Sequence, residues 1–87
     1  MKMFSIFDHK AKAYGLPFYQ RQSGEAIRSF SDLANDEKSN VCKHPEDYTL
    51  FLLGDFDEST GVMELEKTPS PIAKAIEYTQ TQLKAVN

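Results

Sequence analysis

At 87 residues the chain has room for one domain with a modest core, and a domain this small commonly gains stability by self-association. Its 40% hydrophobic and 26% charged residues are ordinary globular values that argue against wholesale disorder, and no apolar run approaches the ~20 residues of a membrane span. A net charge of −3 argues against a protein held on phosphates by bulk charge alone, but the charge is uneven: residues 1–44 are net positive and residues 45–87 strongly negative.

In chain order, residues 3–7 (MFSIF) are short, apolar and rich in β-formers, which predicts a strand. Residues 8–12 are a polar connection. Residues 13–21 (AYGLPFYQR) carry aromatics together with Gly15 and Pro17, which predicts an irregular edge strand pairing back on the first. Ser23 reads as a helix N-cap with Glu25 in the first turn. Ala26, Ile27, Phe30, Leu33 and Ala34 then form one apolar stripe at helical period, with Asn35-Asp36 as the stop. Residues 37–43 are polar and expected in a loop. Pro45, followed by Glu46 and Asp47, suits a single helical turn.

Residues 48–56 (YTLFLLGDF) are nearly continuously apolar. This predicts a core strand buried on both faces, or with one face against the helix and the other against a partner. Residues 57–61 (DESTG) read as a turn with Gly61 in a left-handed position, and residues 62–66 as the returning hairpin strand. Residues 68–71 (TPSP) predict a break, and Ile72, Ala75, Ile76, Thr79 and Leu83 predict an amphipathic helix over 72–86. The expected fold is a single α+β domain over residues 1–87, a small antiparallel sheet with two helices in the order β-β-α-β-β-α.

Catalytic and metal motifs are sparse. Cys42, His44 and His9 lack the paired spacing of a zinc site, so no metal and no other cofactor is expected. Asp55, Asp57, Ser59 and Glu66 mimic part of a calcium loop, but Thr60 stands where glycine is needed and the flanking segment reads as a strand. There is no GxSxG, P-loop or dinucleotide fingerprint, and the expectation is a protein that is not an enzyme. Cys42, the lone cysteine, and an N-terminus without the features of a signal peptide are consistent with the cytosol, with no membrane association.

The N-terminal 21 residues interleave Phe4, Phe7, Tyr14, Phe18 and Tyr19 with Lys2, Lys10, Lys12 and Arg21. Rings that stack on bases and cations that follow phosphates are what a single nucleic-acid strand requires, although a small sheet also needs aromatics for its core. Three stretches, FSIFDHKAKAY with Pro17-Phe18, GEAIRSFSDLAND and HPEDYTLFLLGDFDESTG, resemble the small nonstructural DNA-binding protein of gokushovirus-type microviruses, phages with circular single-stranded DNA. The resemblance implies a non-enzymatic DNA-binding protein acting in the switch from duplex replication to the making of single-stranded genomes for packaging, in the cytoplasm of the bacterial host. With the chemistry of the segment it puts forward Lys10, Lys12, Tyr14, Phe18, Tyr19, Arg21 and Arg28 as DNA-binding residues. Phe30, Tyr48, Leu50, Phe51 and Phe56 are expected in the core. Expected partners are single-stranded DNA and further copies of the chain, as a dimer or tetramer. The rival reading is an interaction module or scaffold whose acidic half meets capsid or replication protein.

Overall fold

The structure is a computed structural model, and residues 1–79 are described. Five strands form one antiparallel sheet: β1 (Lys2–Asp8), β2 (Ala13–Tyr14), β3 (Phe18–Gln20), β4 (Tyr48–Phe56) and β5 (Met63–Lys74). Both β2 and β3 pair with the same edge of β1, β4 pairs with its other edge, and β5 is the outer strand beyond β4. Two helices, α1 (Ser23–Ala34) and α2 (Asn40–Lys43), and two single 3₁₀ turns, Pro45–Asp47 and Ala75–Tyr78, complete the domain. The chain is thus a small α+β domain with an antiparallel sheet and two helices, as its patterning predicts.

The apolar stripe of α1 packs on one face of the sheet. Ala26, Phe30 and Ala34 of α1, Val41 of α2 and Ala75 meet Phe4, Leu50 and Ala73 of β1, β4 and β5, and all are buried. Ile6, Leu50 and Ala73 stand in one cross-strand row, so the core face is continuous over three strands. Phe18 of β3 stacks on Phe4 with ring centroids 5.8 Å apart and extends the same face.

Several local expectations are corrected. The predicted edge strand over 13–21 is broken into β2 and β3, because residues 15–17 contain Gly15 and Pro17 and leave the ladder. Gln22, not Ser23, is the N-cap of α1, and its backbone N–H donates to the Glu25 carboxylate at 3.1 Å. Within the predicted loop 37–43, Ser39 caps α2 by accepting from the Cys42 N–H. The predicted break at 68–71 lies inside β5, an edge strand where proline costs no ladder on its outer side. Consequently residues 72–74 are strand and 75–78 a 3₁₀ turn instead of the start of a helix; the rest of that predicted helix, from residue 80 on, lies outside the described residues. The break signal at 68–71 has a counterpart in register. Leu65 pairs with Gly54 and Ser70 with Leu52, so residues 66–69 bulge out opposite Leu53 alone.

The turn at 57–61 forms as expected. The Asp57 carboxylate accepts from the Ser59 N–H and hydroxyl, and Gly61 takes φ +76°. These bonds, the largest of them from Ser59, hold the Asp57 carboxyl below its ordinary pKa. Among the described residues no helix is long and apolar enough to cross a membrane.

Candidate nucleic-acid interface

Side chains paired across an antiparallel ladder share a face, so the register itself defines the surface opposite α1. One row runs Tyr14, Phe7, Thr49, Lys74 across β2, β1, β4 and β5. The next runs Ser5, Phe51, Pro71. Phe7 and Tyr14 lie 4.6 Å apart by ring centroid, Tyr14 and Phe51 5.4 Å, and Phe7 and Phe51 6.0 Å. His9 stands edge-on to Phe7 at 4.8 Å, and its Nε2 is 2.9 Å from the Thr49 hydroxyl. The Ser5 hydroxyl beneath this cluster is buried and donates to the Gly15 carbonyl. The rings therefore rest on a satisfied polar floor, and Tyr14 is 44% exposed.

Phe51 was expected in the core with Leu50, but strand alternation turns it to the opposite face, where it joins this cluster half-buried. Within this chain α1 covers one face of β4, as expected, and aromatic side chains line the other. His9, Phe51 and Lys74 are members of the surface that the interleaving of aromatics and cations alone does not single out. Phe7 sits in the interleaved stretch, but the signal that adds Phe51 and Lys74 is cross-strand register, which needs the fold.

The sequence-predicted binding residues are divided among several places. Lys10 and Lys12 are exposed in the β1–β2 turn. The Asp8 carboxylate shapes that turn by accepting from the N–H groups of Lys10 and Ala11, and Lys12 takes the left-handed φ of 57°. Tyr14 belongs to the aromatic row. Tyr19 is on the same face further along the sheet, paired with Met3 and 6.1 Å from Phe56. Phe18 is taken up by the core through Phe4 and is not a free stacking ring. Arg21 reaches Glu58 at 3.4 Å, beside the Met1 ammonium that also faces Asp55 and Glu58. Arg28 is exposed on α1, in the layer behind the sheet.

Cys42, His44 and His9 are not brought together. His44 instead groups with Glu46 and Asp47, their ligating atoms within 4.8 Å of one another, and this is where the described residues could hold a cation. Nearby, burial first, and then the Asp8 charge and hydrogen bond and the Asp47 charge, push the Tyr48 phenol above its ordinary pKa. The partial calcium pattern is a hairpin turn, in which Asp57 spends an oxygen on Ser59.

The family model described as "Phage ORF5 protein" matches residues 1–78. The chain is similar to "Protein ORF5" of Chlamydia phage 1, with 35% identity over 65 residues that cover 70% of this chain and 68% of that protein. No solved structure matches. With nearly every described residue inside the family match, the chain belongs to the phage ORF5 protein family and is a bacteriophage protein.

Proposed function

We propose that this phage protein is a non-enzymatic single-stranded DNA-binding protein that lays the strand over the open sheet face. The observation that carries the reading is the clustered Phe7, Tyr14 and Phe51, the first two in one cross-strand row with Thr49 and Lys74 and Phe51 in the next. Each base stacked on such rings contributes roughly 1–3 kcal/mol by alanine substitution, enough for a few stacks to offset an acidic net charge. Lys10 and Lys12, exposed in the turn next to Tyr14, add cations at the same end. The biological role that fits is the switch from duplex replication to single-stranded genome synthesis and packaging in the cytoplasm of the bacterial host, by a dimer or tetramer whose combined faces hold the strand with avidity.

Fluorescence anisotropy of a labelled oligothymidylate, titrated against salt and against a duplex of equal length, tests this. Binding of the single strand that weakens steeply with salt is expected from counterion release. No binding at low salt contradicts the proposal.

A second reading is favoured by the far end of the β4–β5 hairpin. There Asp55, Asp57, Glu58 and Glu64 surround Met1 in a cavity of about 500 Å³, next to the exposed Val62, Met63 and Leu65. An acidic rim beside exposed apolar side chains suits a protein partner such as capsid or replication protein. This reading predicts co-purification with such a protein and no oligonucleotide binding.

A further inference from the structure

The aromatic row ends in a cavity of about 360 Å³, in which His9, Thr49 and Lys74 face Glu46 between the apolar walls of Pro45 and Ile76. We propose that this cavity is a phosphate subsite, holding a backbone phosphate of the strand whose adjoining base lies on Phe7 and Tyr14. The inference rests on the single-strand reading above and adds to it a place and a direction: base over the β1–β2 edge, phosphate over the β4–β5 edge.

Two donors, Lys74 and Thr49, converge there, and His9 orients the second. Lys74 is exposed and its ammonium makes no ion pair among the described residues, unlike Arg21, which is spent on Glu58; the Glu77 carboxylate accepts from the Lys74 backbone N–H at 3.4 Å. Thr49 is nearly buried, so its hydroxyl is held in place, and His9 Nε2 lies 2.9 Å from it. With His9 Nε2–H donating to the Thr49 oxygen, the Thr49 hydroxyl hydrogen is free to point into the cavity. Neighbouring strands are about 4.8 Å apart, so Phe7 and Lys74, two strands apart in one row, are separated by roughly 10 Å, within the reach of one nucleotide and its phosphate. Glu46, exposed on the opposite wall, carries the wrong sign for a phosphate and should hold affinity down.

The test is the salt dependence of oligothymidylate affinity in four variants. Lys74→Ala should weaken binding and lower the slope of log affinity against log salt by about one. Lys67→Ala, which removes another exposed cation on the same strand, should leave the slope unchanged. Glu46→Gln should tighten binding, and Tyr14→Ala should weaken it with the slope intact. Weakening by Tyr14→Ala together with an unchanged slope in Lys74→Ala overturns the subsite and leaves the single-strand reading standing. Absence of binding by the unaltered protein overturns both. Thymidine 5′-monophosphate separates a strand phosphate from a free nucleotide: failure to displace the oligonucleotide supports the subsite, and displacement at micromolar concentration overturns it.

Discussion

Gly54 of β4 pairs with Leu65 of β5 in close approach to its backbone. A Cβ built there would come 2.5 Å from the Glu64 carbonyl oxygen and 2.9 Å from the Leu65 Cα, both backbone atoms that cannot step aside without moving the strand. Gly54→Ala should therefore destabilise the fold by roughly 1–3 kcal/mol, the usual cost of overpacking, read as a lower denaturation midpoint. Asp57 gives a pH-dependent counterpart. Its carboxyl titrates lower in the folded chain than in the unfolded one, because Ser59 bonds to its charged form. The stabilisation is complete above the unfolded pKa and is lost as pH falls through the folded one. Thermal melts between pH 5 and pH 2 should thus show an acid-side loss that is smaller in Asp57→Ala. An equal pH slope in both proteins would contradict the assignment.

At the scale of elements, α1 and β4 were legible because each carries one dominant pattern: a stripe at helical period in α1, and an unbroken apolar run in β4. β5 was not, because its prolines signal a break and its edge position removes the penalty that gives the signal meaning. The spacing of Ile72, Ala75 and Ile76 looked helical, yet Ala73 and Ala75 are the buried residues and the chain reaches them as strand and then turn. The candidate site was legible by half for a related reason. Tyr14 was singled out from the aromatic and basic stretch, whereas Phe51 could be assigned to a face only after β1 and β4 were in register. The same layering separates Arg28, on α1, from the row containing Tyr14. Tyr14→Ala should weaken oligonucleotide binding by roughly 1–3 kcal/mol. Arg28→Ala should change it by less than twofold, and the reverse pattern would move the interface to the helix layer.

The whole molecule has two unlike faces and two unlike ends. One face of the sheet is sealed by Phe30 and Leu50 under α1, and the other displays Phe7, Tyr14 and Phe51. One end carries Lys10, Lys12 and Lys74 interspersed with Asp8, Glu46, Asp47 and Glu77, and the hairpin end carries Asp55, Asp57, Glu58 and Glu64. The net charge of −3 is therefore unevenly spread: cations are mixed with carboxylates beside the aromatic face, while the hairpin tip is predominantly acidic. The most direct test of this account is chemical-shift mapping of the labelled protein as a short oligothymidylate is added. The account predicts shifts concentrated on Phe7, His9, Tyr14, Thr49, Phe51 and Lys74. Shifts confined to α1 or to the hairpin tip, with this face unchanged at saturation, would contradict it.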